Sequence, residues 1–162
     1  MRTLHAFLIA IVAVWALLAV TPPAAAAKTP VEIIEAIYAA YGPDSFPENP
    51  EARYFTPDLL SLYDEVAEGS GDNPELGIDF DVFLNAQDID EVTDLSTRID
   101  QDAADLQVVD VTFTAFGQET IMRYTFVPTP DGRKIDDIDW GEEGANLRAL
   151  LDQLKQDQAN AG

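Results

Sequence analysis

Three aspartates fall close together at Asp136, Asp137 and Asp139, inside the run Lys134–Trp140. A carboxylate held out of water has a raised pKa and can exchange a proton near neutral pH. Side chains alternate between the two faces of a strand. Ile135 would then share a face with Asp137 and Asp139, while Ile138 and Trp140 would share theirs with Lys134 and Asp136. Each face mixes aliphatic and acidic residues. A bulge resolves the conflict, as does a strand end that opens to water. The third solution points a carboxylate into the interior, where Asp137 or Asp139 would serve as base and Tyr38 or Tyr124 as hydrogen-bond donor.

A second polar group, Asn85, Gln87 and Asp88, follows the apolar pair Phe83-Leu84. It reads either as the polar exit of a helix or, with Trp140, as the rim of a ligand pocket offering donors and acceptors. Other chemistries lack their parts. There is no cysteine, and the one histidine is His5. Zinc, copper and iron sites rest on thiolate or imidazole, and Ser-His or Cys-His nucleophiles need an imidazole base. Asp79-Phe80-Asp81 and Asp100-Gln101-Asp102 begin like calcium loops, but Phe83 and Ala104 stand at the fifth position, where a ligand belongs, and no glycine follows at the sixth. No metal site or cofactor is expected.

The elements that must hold these residues can be read from periodicity. Thr29-Pro30-Val31-Glu32 forms a capping box, and Ile33, Ile34, Ile37, Tyr38 and Tyr41 share a helical face up to Gly42-Pro43. Residues 43–53 are a loop. A second helix starts with Thr56 as N-cap and Pro57 inside it, with Leu59, Leu62, Tyr63 and Val66 as its apolar stripe. After a loop over 69–77, Asp79–Asp88 is expected as a short helix.

From Val92 the period becomes two. Strands follow around Leu95–Ile99, Val109–Ala115, Met122–Val127 and Lys134–Trp140, with turns at Gln101–Ala104, Gly117-Gln118 and Pro130-Asp131-Gly132. Leu147, Leu150, Leu151 and Leu154 form a last helix capped by Asn146, and Asp157–Gly162 is expected to fray. Helices, then a four-stranded antiparallel meander, then a helix define an α+β fold: N-terminal helices packed on a curved sheet, with a C-terminal helix.

Residues 1–27 read as a cleavable signal peptide. Arg2 lies in the short head, Ala6–Val20 is unbroken apolar, and Ala25-Ala26-Ala27 offers the cleavage site. The apolar run is short for a membrane span. Cleavage after Ala27 would leave one acidic domain, 28–162, in the periplasm or medium with no stable membrane anchor. Thirty Asp and Glu against nine Lys and Arg give a net charge of −21, which disfavours nucleic acid and anionic membranes as partners.

Tyr54-Phe55-Thr56-Pro57, Asp79–Asp88, Ile135-Asp136-Asp137-Ile138 with Trp140, and Leu147–Leu151 together resemble a family of small exported bacterial proteins of unknown function. That family is similar to the nuclear transport factor 2-like superfamily. The resemblance implies helices laid over a bent sheet as an open-mouthed cone with a pocket. It does not imply an activity, because the superfamily holds ketosteroid isomerase and scytalone dehydratase beside noncatalytic binders.

The expected function is noncatalytic binding of a small molecule or of a protein, here a cationic one. The alternatives are a carboxylate-dependent isomerase, dehydratase or hydrolase, and an acidic inhibitor or immunity-type protein. A cavity lined by the strand aspartates would mark the enzyme. A continuous acidic face would mark the inhibitor.

Overall fold

Pro30–Tyr38 forms α1, and the expected capping box is present: Thr29 Oγ1 accepts from Glu32 N, and Glu32 accepts from Thr29 N at 2.7 Å. The computed structural model describes residues 27–71, 73–141 and 146–161. The signal peptide expected over 1–27 lies, apart from Ala27, outside the described residues. Helix α1 stops three residues short of Tyr41, because the N–H groups of Ala40 and Tyr41 turn back to carbonyls three residues earlier. Tyr41 is buried in the turn that follows.

The loop expected over 43–53 contains a helix, α2 (Pro50–Tyr54), capped by Asn49 in the left-handed region. Helix α3 (Pro57–Ser70) begins as the sequence indicates, with Thr56 Oγ1 accepting from Leu59 N. A single 3₁₀ turn, Pro74–Leu76, follows.

Asp79–Asp88 is not a helix. Asp81 Oδ1 accepts from the N–H groups of Phe83 (2.8 Å) and Leu84 (3.1 Å), and Asp81 N–H donates to the Ala86 carbonyl. The side chain thus takes donors that a helix would have used, and Asn85 at φ 52° turns the chain back. The short apolar run Val82-Phe83-Leu84 still enters the core.

Strands β1 (Thr93–Asp102), β2 (Gln107–Ala115), β3 (Gln118–Thr129) and β4 (Gly132–Asp139) make an open antiparallel meander in the order β1-β2-β3-β4. Two of their turns are displaced: the β1–β2 turn, expected at Gln101–Ala104, falls at residues 103–106, because Gln101 and Asp102 still pair with Val108 and Gln107. The β2–β3 hairpin pivots on Phe116-Gly117, one residue earlier than Gly117-Gln118. Strand β1 breaks register twice, between Thr93 and Ser96 and between Ile99 and Gln101.

The parity conflict in β4 is settled by a bulge. Phe126 pairs with Ile135 and Thr125 with Asp137, so Asp136 is the extra residue. Ile135 and Ile138 both become fully buried. The outer edge of β4 is covered by the α2–α3 link: Phe55 bridges to Ile135, and Thr56 N–H donates to the Ile135 carbonyl at 2.8 Å.

Helix α4 (Leu147–Ala161) is capped by Asn146, whose Oδ1 accepts from Ala149 N. It does not fray over 157–161. Gln158 Nε2 donates to the carbonyls of Val66 and Leu76, tying the last turns to α3 and the 3₁₀ turn. The core lies between the helices and one sheet face. Ile33, Ile34, Ile37 and Tyr38 of α1, Leu59 and Val66 of α3, and Leu147 and Leu151 of α4 meet Val109, Val111, Phe113, Met122, Tyr124 and Phe126.

Candidate functional site

The tyrosines proposed as donors do come together, but inside the core. Tyr38 projects from α1 and Tyr124 from β3, and their hydroxyl oxygens stand 2.7 Å apart with both rings buried. Tyr38 Oη also lies 2.8 Å from the Phe83 carbonyl, which can only accept. The order is therefore fixed: Tyr124 donates to Tyr38, and Tyr38 donates to Phe83. Burial raises the pKa of both hydroxyls. Phe113 packs on Tyr38 at a ring separation of 4.8 Å. The pair is a structural clasp with its donors already committed.

The strand aspartates lie elsewhere. Because of the bulge, Asp137 and Asp139 share their face with Thr125 and Arg123, opposite the core. Asp137 Oδ1 accepts from the N–H groups of Ile138 (2.9 Å) and Arg148 (3.1 Å), so it caps the start of α4. Partial burial raises its pKa, against those two bonds, which lower it. Asp139 Oδ1 accepts from Gly141 N at 2.7 Å. Asp136 receives Thr56 Oγ1 at 2.9 Å and Arg148 Nη2 at 2.5 Å, joining β4, α3 and α4. The structure does not bring the aspartates and tyrosines into one site.

Asn85, Gln87 and Asp88 are exposed on the 79–92 loop. Gln87 Nε2 donates to Asp79 at 3.2 Å. Trp140 is half-buried; its Nε1 donates to the Val82 carbonyl, and its ring packs edge-on against Phe80. It pins this loop to the end of β4. Open grooves lie at the surface. One, of about 250 Å³, is lined by Tyr63, Ala67, Ser70, Pro74, Ile78 and Asp79. Another, of about 370 Å³, lies between Phe55, Pro57 and Leu60 and the β3–β4 turn.

What the outer surface does carry is charge. From Tyr54 to Thr97 there are twelve Asp or Glu and no Lys or Arg. Tyr63 records this field: burial first, then Glu51, Asp81 and Asp64, push its hydroxyl up to about 12. Tyr41 Oη donates to Asp81 at 2.7 Å in the same neighbourhood.

Most basic groups are already engaged. Arg98 and Arg123 bind Asp100 and Asp110 on the outer sheet face. Arg148 binds Asp136, Lys155 binds Glu65, and Lys28 lies over the Tyr54 ring. Arg133 and Lys134 donate to backbone carbonyls of Ala103, Ala104 and Arg53. The acidic surplus is left facing water. Among the described residues no three carboxylates converge as a metal-holding group, and no helix is long and apolar enough to cross a membrane.

No family model matches the chain, and no curated protein matches it. Among solved structures, a chain of the type VI native effector–immunity complex Tae3–Tai3 from Ralstonia pickettii is similar, with a TM-score of 0.50 at 18% identity. The match covers 72% of this chain and 98% of that one. At this identity the likeness bears on the fold.

Sequence reasoning missed the surface features. Phe116, Ile121 and Ile89 are large apolar residues left exposed. The signal for the first was a phenylalanine directly before Gly117, between the expected strand end at Ala115 and the expected turn at Gly117-Gln118.

Proposed function

We propose that this chain is a noncatalytic, exported acidic protein that binds a cationic protein partner on its outer surface, as an inhibitor or immunity-type protein does. The observation that carries the reading is the surplus of carboxylates, most of whose potential counterions are already engaged within the fold. Such a surface steers and selects a partner of opposite charge. The likeness to a chain of an effector–immunity complex supports the same reading. A cone of the nuclear transport factor 2-like kind would instead hold a ligand between sheet and helices. Here that region is occupied by Tyr38, Phe113, Tyr124 and Phe83, which favours a surface role over a pocket.

The test is affinity capture on the immobilised chain from the exporting cell's envelope and medium, followed by calorimetry with the identified protein. A basic protein bound with an affinity that falls about tenfold or more between low and high salt is expected. Salt-independent binding of a neutral or acidic protein overturns the charge-based reading. Thermal stabilisation by a small molecule, with no protein retained, transfers the function to one of the surface grooves.

A further inference from the structure

We propose that Phe116, at the tip of the β2–β3 hairpin, is the aromatic anchor that seats this chain in an apolar pocket of its partner, with the surrounding carboxylates meeting Lys and Arg at the pocket's rim. The inference rests on the cationic-partner reading and adds the surface that does the binding.

The β2–β3 connection is a two-residue turn, Phe116-Gly117, with φ of 53° and 70°. Positive φ at both central residues is the type I′ arrangement, which calls for Asn, Asp or Gly. Four described residues other than glycine have positive φ: Asn49, Asn85, Asp94 and Phe116. The first three are of the types that tolerate this backbone. Phe116 is not, and a bulky side chain there is strained.

Burial does not compensate the strain, because Phe116 is 46% exposed. The turn is instead held by Asp90, whose carboxylate accepts the Phe116 N–H at 2.5 Å. The fold therefore maintains an aromatic side chain at a position where neither backbone preference nor packing asks for one.

Its neighbours suit a protein interface. Ile89, next to Asp90, is 46% exposed, and Ile121, further along β3 of the same hairpin, is 58% exposed. Thr93 pairs with Thr114 and Thr114 with Glu119, so Asp94 and Glu119 flank the row below the tip. Asp90, which accepts the Phe116 N–H, and exposed Glu91 next to it in sequence carry the same sign. No Lys or Arg occurs between Arg53 and Arg98, nor between Arg98 and Arg123. An aromatic centre inside a charged rim is the arrangement that concentrates binding energy in interfaces. A rim of one sign commits it to a Lys- and Arg-bearing surface.

The test uses the processed chain, an amphipathic Leu/Lys peptide as probe and a Lys-only peptide of equal charge as control. Amide shifts induced by the Leu/Lys peptide are expected to concentrate at residues 88–94 and 114–121. Phe116→Asn is expected to weaken that peptide about tenfold or more and to leave the Lys-only peptide unchanged. Because Asn-Gly relieves the turn, the same variant should melt higher than the parent. Phe116→Gly relieves the same backbone and provides a second variant. A lower melting temperature in both variants makes Phe116 a packing residue and overturns the proposal. Equal, salt-sensitive binding of the Leu/Lys peptide by parent and variants removes the anchor and leaves the cationic-partner reading standing. If neither peptide binds at low salt, both fall.

Discussion

The hydroxyls of Tyr38 and Tyr124 meet at 2.7 Å in the middle of the core, and the Phe83 carbonyl accepts the proton at the end of their chain. The two tyrosines are unequal in this arrangement. Tyr124→Phe removes one donated bond and leaves Tyr38 satisfied, so it should cost about 0.5–1.5 kcal/mol. Tyr38→Phe strands both the Phe83 carbonyl and the Tyr124 hydroxyl in the interior, and should cost about 2–4 kcal/mol. Urea denaturation of the two variants measures the difference. Equal costs would show that the Phe83 carbonyl finds another donor.

Arg148 ties α4 to the bulge in β4 through Asp136, donating from Nη2 to its carboxylate and from Nε to its carbonyl at 2.7 Å. Both side chains are about a third exposed, so solvent screening reduces the pair's worth. Arg148→Met should destabilise by about 1–2 kcal/mol. In the double variant Asp136→Asn/Arg148→Met, the loss should be smaller than the sum of the single losses. Additive losses would mean that the ion pair contributes nothing beyond packing.

Glu51 lies half-buried on α2, and burial, reinforced by Asp81 and Asp64, raises its pKa above the ordinary carboxylate range. The folded chain then binds this proton more tightly than the unfolded chain does. Stability is reduced above the raised pKa, and the penalty disappears as pH falls below the unfolded value. Glu51→Gln should therefore stabilise at neutral pH, with the advantage over the parent shrinking on acidification. Thermal melts across that pH range give the answer, and a difference that grows toward acid would reverse the assignment.

The architecture was legible because its elements follow local rules: the Thr29 capping box, the period change near Val92 and the Pro130-Asp131-Gly132 turn. What escaped depended on contacts distant in sequence or on a side chain bonding its own backbone. Asp81 turned an amphipathic pattern into a loop. Gln158 ordered a tail whose place at the chain end suggested fraying. The clasp of Tyr38 and Tyr124 joins residues 86 positions apart, and periodicity places each on a core face without saying that they touch. The conflict in Lys134–Trp140 did announce a bulge among its three solutions. Only the paired strand could show that Asp136 is the extra residue, and with it which way Asp137 and Asp139 face.

The two free borders of the sheet are guarded in different ways. On β4 the chain itself lies over the edge at Phe55 and Thr56. On β1 the ladder is dislocated twice, and exposed Asp94, Arg98, Asp100 and Asp102 interrupt any flat run. A second copy arriving at that border would find no long uninterrupted row of matching amide and carbonyl groups to extend. Crowded copies of this domain should thus meet without growing into ribbons, which leaves the Phe116 tip free for a different kind of neighbour.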